Sequence, residues 1–321
     1  MARFRDFQPA GVIPATLLAF HQDFSIDETE TRRHLRCVAA TRGISAITVN
    51  GHSCEMHALS FEEQRRVLAV ALAEIGDRLP LINGVYADGS LHAARVARMA
   101  QDEGASALLV FPPNSMMAGG QLRPEMALGH FRHIAEACDL PIILFQYPLS
   151  TGLGYPFDTL VRLLDEIPSI RAVKDWTAEP MLHERLIRTL QARPRPVSLL
   201  TTQSSWLMSS LVMGANGLLS GAGSVVADLQ VGLFEAVTAK DLGAAQRIND
   251  RLYPLQQAFY APPFLDMHNR MKECLVMLGR LKRAVVRPPL MKLSDAELAR
   301  LRQALEAARI HPDGALTEAA E

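Results

Sequence analysis

Short apolar runs alternate with amphipathic stretches about every thirty residues along most of this chain, which restricts it to folds built from repeated βα units. The runs fall near residues 11–18, 45–50, 80–84, 106–111, 141–146, 169–174, 197–202 and 217–220. Between them Thr29–Thr41, Ser60–Ile75, Ser90–Asp102, Pro124–Ala137 and Phe157–Asp165 repeat apolar residues at intervals of three and four, the spacing of one buried helix face. Ser60 ahead of Phe61-Glu62-Glu63, and Ser25 and Asp27 ahead of the first stretch, supply helix N-caps. Eight such units predict an α/β fold, the (β/α)8 TIM barrel, whose active site sits at the C-terminal ends of the strands. A doubly wound open sheet is the rival, but no GxGxxG follows the first strand, and Gly152-x-Gly154 is too short and in the wrong place. Beyond about residue 240 the strands stop, and helical stretches near 242–260, 267–280 and 294–308 predict a C-terminal helical appendage. The barrel is therefore assigned to residues 1–240 and the helical region to 241–321.

In that register Lys174 ends the sixth strand, after Ile170-Arg171-Ala172-Val173 and before Asp175-Trp176-Thr177. The chain has 33 lysines and arginines, of which only Lys174, Lys240, Lys272, Lys282 and Lys292 are lysines. An ammonium kept at a strand tip, where a guanidinium cannot do amine chemistry, points to a nucleophile. An ordinary lysine is less than about 0.1% free base at pH 7, so such a site must favour the neutral amine, which burial in a barrel achieves by desolvation. The structural alternative is a surface lysine paired with Asp175.

At 321 residues and 49% hydrophobic content the chain can bury a large core. A net charge of −1 with dispersed basic residues leaves no electrostatic footprint for nucleic acid or an anionic membrane, so small molecules are the expected partners. Cys37, Cys54, Cys138 and Cys274 show neither a CxxC pair nor a disulfide spacing, which predicts a reduced, cytoplasmic setting. The first residues lack an uninterrupted apolar core, and no run approaches eighteen apolar residues, so neither secretion nor membrane spanning is expected. His57, His133 and His183 lack ligand spacing and no HxH or HExxH occurs, so no catalytic metal and no cofactor are expected.

Several segments fall at predicted strand ends: Gly51-x-Ser53-x-Glu55 with Leu59-Ser60-x-Glu62-Glu63, Phe145-Gln146-Tyr147-Pro148, Val173-Lys174-Asp175, and Gly214-x-x-Gly217-Leu218-Leu219-Ser220. Arg287-Pro288-Pro289-Leu290 follows near the C-terminus and reads as an extended exit from the barrel. In their order and spacing, from Gly11 to about Leu293, these segments resemble the dihydrodipicolinate synthase and N-acetylneuraminate lyase family of class I Schiff-base barrels. The resemblance implies that Lys174 forms an imine with the ketone carbon of pyruvate or a longer 2-oxo acid. It also implies that the Ser53 hydroxyl and the backbone amides of Ser53 and Cys54 hold the acid's carboxylate, that the Leu219 backbone lines the eighth-strand side, and that the protein is a homotetramer. A small-residue turn suits an anion because it aims amides at it; a plain βα turn capped by Ser53 is the alternative.

Departures from the pattern are equally specific. Phe145 stands where family enzymes usually carry the tyrosine that relays protons beside the lysine, and Phe145 cannot transfer a proton. The strand-two hydroxyl and second relay tyrosine of the synthase are matched by His52 and Asn114, and its substrate-gripping arginine by Ser150. Imine chemistry still needs an acid and a base. His52 is the first candidate because imidazole titrates near neutrality, and Tyr147 the second because it shares a strand face with Phe145. Backbone-bonded histidine and packed tyrosine are their structural alternatives. Asp175 points toward the helices, Trp176 is a candidate cap on the pocket, and Gln203-Ser204-Ser205, Asn216 and Ser220 are candidate hydroxyl ligands or helix caps.

The reading is a lysine Schiff-base lyase, an aldolase or dehydratase acting on a 2-oxo acid. Its alternatives are dihydrodipicolinate synthase with a remodelled relay, a phosphate-binding barrel using Gly214, Gly217, Gly221 and Gly223, and a non-catalytic 2-oxo acid binding protein.

Overall fold

A computed structural model describes residue 4 and residues 6–312. Eight parallel strands alternate with eight helices. The chain runs β1 (Gly11–Pro14), α1 (Glu28–Ala39), β2 (Ile47–Val49), α2 (Phe61–Ile75), β3 (Leu81–Val85), α3 (Ser90–Glu103), β4 (Ala107–Val110) and α4 (Pro124–Ala137). It continues through β5 (Ile142–Gln146), α5 (Phe157–Glu166), β6 (Ile170–Asp175), α6 (Pro180–Gln191), β7 (Ser198–Thr201), α7 (Leu207–Val212), β8 (Gly217–Ser220) and α8 (Gly223–Thr238). The sheet order is β1-β8-β7-β6-β5-β4-β3-β2, and parallel bridges Val12–Ile44 and Ala15–Thr48 close β1 onto β2. The fold is a TIM barrel, as the βα periodicity predicts.

Strand alternation sorts the side chains into two cores. Ile13, Ile82, Leu109, Ile143, Ala172 and Leu200 fill the barrel interior. Their sequence neighbours Val12, Leu108, Val110, Leu144, Val173 and Leu199 pack outward against the helices. Gly217 has no room for a side chain, since a Cβ there would lie 2.1 Å from the Gly11 carbonyl. That glycine serves strand closure rather than an anion.

After α8 the chain forms α9 (Leu242–Phe259), α10 (Met267–Met277) and α11 (Asp295–Ala307). α9 and α10 pack on α8 and on each other, and α11 closes over both. These helices meet the boundaries expected from the sequence, but they do more than append. The segment from Gln256 to His268 reaches over the mouth of the barrel and walls part of its cavity.

Candidate active site

Lys174 lies in the interior register of β6, between Phe145 on β5 and Leu200 on β7. Its amine sits 3.9 Å above the centre of the Phe145 ring and makes no hydrogen bond or ion pair among the described residues. The side chain is buried, and burial pulls its pKa from about 10.5 down to about 7. The aromatic face favours the ammonium form, yet desolvation wins. The surface pairing with Asp175 does not occur: the Asp175 carboxylate faces outward, accepting from Thr177 Oγ1 at 3.1 Å and contacting His183 Nδ1 at 2.5 Å.

Lys174, Phe145, His52 and Ser53 border one cavity of about 350 Å3 at the C-terminal end of the strands. The turn carrying His52 and Ser53 follows from local sequence. Asn50 takes a positive φ of 53°, and Gly84 makes space for it, because a Cβ there would lie 1.9 Å from the Asn50 carbonyl. Asn50 Nδ2 ties the turn to Asn83 Oδ1 and to the Gln64 carbonyl, both at 2.8 Å. The Ser53 hydroxyl is fully buried and has no hydrogen-bond partner among the described residues. A buried polar group without a partner is costly, and a bound anion would relieve it.

Glu55, also at a positive φ of 54°, closes this turn and anchors it. Its carboxylate pairs with the buried Lys272 ammonium of α10, which also donates to the Val285 carbonyl at 2.8 Å, and accepts from the Arg287 amide at 2.8 Å. The Arg287 guanidinium grips Glu63 at 2.6 and 2.9 Å. Glu63 and Ser60 form the capping box that starts α2. Motifs more than two hundred residues apart are thus one clamp behind the strand-two turn.

His52 Nε2 lies 2.9 Å from the Tyr147 hydroxyl. The two candidates are joined, though Tyr147 itself does not border the cavity. Their titration differs from the sequence argument. Burial, helped by the charge of Lys174, pushes His52 down to about 3, and burial raises the Tyr147 phenol above its ordinary value. At pH 7 the pair is a neutral imidazole against a protonated phenol, so His52 is not half-titrated there.

Three expected ligands stand elsewhere. Asn114 is exposed beyond β4, where its amide nitrogen donates to the Tyr86 hydroxyl and its backbone N–H to Asp88 at 2.7 Å, away from the cavity. The Cys54 amide donates to the Gly51 carbonyl at 3.0 Å and its thiol to the Thr16 carbonyl at 3.1 Å, as the 3-10 turn requires. Leu219 packs inside the barrel, and Gly221, two residues on, borders the cavity instead. Asn216 is also structural, accepting from the Leu199 amide at 2.9 Å.

Other lining residues escaped the sequence reading. His268, on α10, borders the cavity with its ring centre 6.3 Å from that of His52, and burial beside His52 and Lys174 holds it well below its usual pKa. Gln256 and Tyr260 arrive from the end of α9. No motif marks them, because only the docking of the C-terminal helices brings them to the mouth. Gln203, Ser204 and Trp176 do reach the cavity, where the Trp176 ring stands edge-on to Phe264. Among the described residues no three His, Cys, Asp or Glu side chains converge to hold a metal ion. No helix among them is long and apolar enough to cross a membrane.

Residues 8–308 match the dihydrodipicolinate synthetase family. The chain belongs to that family. It is 31% identical over 306 residues to the 4-hydroxy-tetrahydrodipicolinate synthase of Laribacter hongkongensis, covering 94% of this chain and 99% of that protein. An uncharacterized DapA-like lyase of Halobacterium salinarum is 30% identical over 294 residues, 91% of each chain. Among solved structures, family member YagE of E. coli K12, determined in complex with pyruvate, superposes with a TM-score of 0.86 at 22% identity over 94% of this chain and 99% of YagE. Dihydrodipicolinate synthase from Aquifex aeolicus gives 0.83 at 24% identity, over 97% and 100% of the two chains. At those identities the structural likeness is one of fold.

Proposed function

We propose that this chain is a class I lyase that binds pyruvate or a longer 2-oxo acid as an imine on Lys174. The observation that carries the reading is the unpaired amine of Lys174, desolvated and open to the cavity that Ser53 also borders. Nζ adds to the ketone carbon and the ketone oxygen leaves as water. The protonated imine then accepts the electron pair released when the C3–C4 bond breaks or a C3 proton departs, giving an enamine. The Ser53 hydroxyl, otherwise without a partner, donates to the carboxylate. The neutral His52 takes a proton from the substrate, and the Tyr147 phenol behind it orients the ring. Phe145, unable to relay a proton, packs beneath the amine and keeps it dry.

Homotetrameric assembly and a reduced, cytoplasmic setting belong to the same reading. The four cysteines all being free thiols is consistent with that setting. The test is mass spectrometry after borohydride treatment with pyruvate. Hydride delivery to the imine carbon leaves a stable secondary amine on Lys174, and absence of that adduct with every 2-oxo acid tried would sink the reading.

The synthase reading with a remodelled relay is favoured by relatives such as the Laribacter hongkongensis protein, which bears that name. Condensation of pyruvate with aspartate semialdehyde separates the two, since only the synthase consumes both.

A further inference from the structure

The cavity that Lys174 borders has a lining largely without charge. Among the described residues Lys174 is the one lysine on the lining, and no arginine, aspartate or glutamate borders it. A second carboxylate or an ammonium on the far end of a substrate would therefore enter a partly desolvated site with no counter-charge, which is strongly unfavourable.

Polar groups line this cavity too, and three of them are engaged with neighbouring protein groups. The Gln203 amide is committed to the Asp175–Thr177 corner, meeting Asp175 Oδ2 and Thr177 Oγ1 at 3.4 Å. With its oxygen and nitrogen exchanged, it accepts instead from the Thr177 and Ala178 amides at 3.0 and 3.1 Å. Ser204 Oγ donates to the Thr202 carbonyl at 3.4 Å, and the Tyr260 hydroxyl lies 3.5 Å from Ser220 Oγ. Gln256 differs. It borders the cavity at 3% exposure, and its amide nitrogen has no hydrogen-bond partner among the described residues. An unpaired buried amide suits a ligand oxygen. Trp176, Phe264, Pro262 and Met267 supply an apolar part of the same lining, with the two aromatic rings 5.7 Å apart. Phe264 is 44% exposed, so that part stands open at the mouth.

We propose that part of this cavity is a subsite for an uncharged tail with a hydrogen-bonding oxygen held by Gln256 and an apolar or aromatic end seated against Trp176, Phe264 and Met267. The inference rests on the imine reading and names the substrate class: a 2-oxo acid with a single carboxylate, bearing a hydroxyl that Gln256 meets and a hydrophobic terminus.

The test measures the concentration of each 2-oxo acid that half-saturates borohydride trapping on Lys174 in the full-length protein. The probes are pyruvate, 2-oxo-4-phenylbutanoate, 4-hydroxy-2-oxo-4-phenylbutanoate and 2-oxoglutarate. Expected half-saturation for 2-oxo-4-phenylbutanoate is at least tenfold below that for 2-oxoglutarate, and the 4-hydroxy compound binds tighter still. Trp176→Ala should shrink the advantage of the phenyl compounds about tenfold relative to pyruvate. Gln256→Leu should erase only the increment due to the hydroxyl. If 2-oxoglutarate traps as well as 2-oxo-4-phenylbutanoate, or if neither substitution moves these ratios, the subsite is wrong while the imine stands. If no probe gives an adduct on Lys174, both fall.

Discussion

The Tyr147 hydroxyl lies 2.9 Å from Nε2 of His52, so a phenol outside the cavity is hydrogen-bonded to an imidazole inside it. The resemblance implies a tyrosine at the position of Phe145; here a phenol two residues along the chain meets the cavity through a histidine. Tyr147→Phe should slow exchange of the pyruvate C3 protons with solvent deuterium about 10-fold to 100-fold, and His52→Ala should slow it further, within the usual range for a lost acid or base. NMR integration of the methyl signal measures both. Exchange unchanged in His52→Ala would remove the histidine from the proposal.

The pH dependence of imine formation follows from Lys174. Its folded pKa near 7 means that the free-base fraction falls with each unit below 7 and saturates above it. Initial trapping rates with pyruvate should drop about tenfold per pH unit below 7 and level off by about pH 8. No second limb should appear near 6 to 7, because His52 is held near 3. A rate still climbing steeply between pH 8 and 10 would show a solvated amine.

The same amine should cost stability. Its pKa is about 7 folded and that of an ordinary lysine unfolded, so between pH 7 and about 10.5 the unfolded chain holds more protons and stability rises with pH. Below pH 7 the cost is at its full value. Lys174→Met should accordingly stabilise the protein by about 2–4 kcal/mol at or below pH 7, with the gain fading toward pH 10.5. Urea unfolding at several pH values tests the trend.

A different buried pair should behave in the opposite way. Glu55 neutralises Lys272 with both side chains sealed from solvent. Glu55→Ala leaves a buried ammonium without its counter-charge and should cost about 3–5 kcal/mol, whereas Glu55→Gln combined with Lys272→Met should cost much less. Because Glu55 also accepts from the Arg287 amide, the single variant should loosen the strand-two turn and weaken pyruvate trapping as well.

The barrel was legible because each strand and helix announces itself locally, through runs such as Ala107–Val110 and caps such as Ser60 with Glu63. Lys174 and Phe145 were placed by strand register, since period two fixes which side chains face inward, whereas His52 and Ser53 were placed by the turn that follows β2. Asn114 misled because loop geometry beyond β4 turns it toward Asp88, which no alternation governs. Cys54 misled because a 3-10 turn occupies the amide that an anion would use. Gln256 and His268 carried no signal at all. Their place depends on how two amphipathic helices dock across the barrel, a matter of packing between distant segments.

One turn of α10 separates His268, which faces the cavity, from Lys272, which fastens Glu55. The α10 wall beside Lys174 is therefore translated after all eight strands, and it latches onto a loop made more than two hundred residues earlier. A nascent chain halted before this helix would own all eight strands yet lack the His268 side of the cavity that Lys174 borders. The enclosure of that cavity is finished only when a late helix folds back upon an early turn.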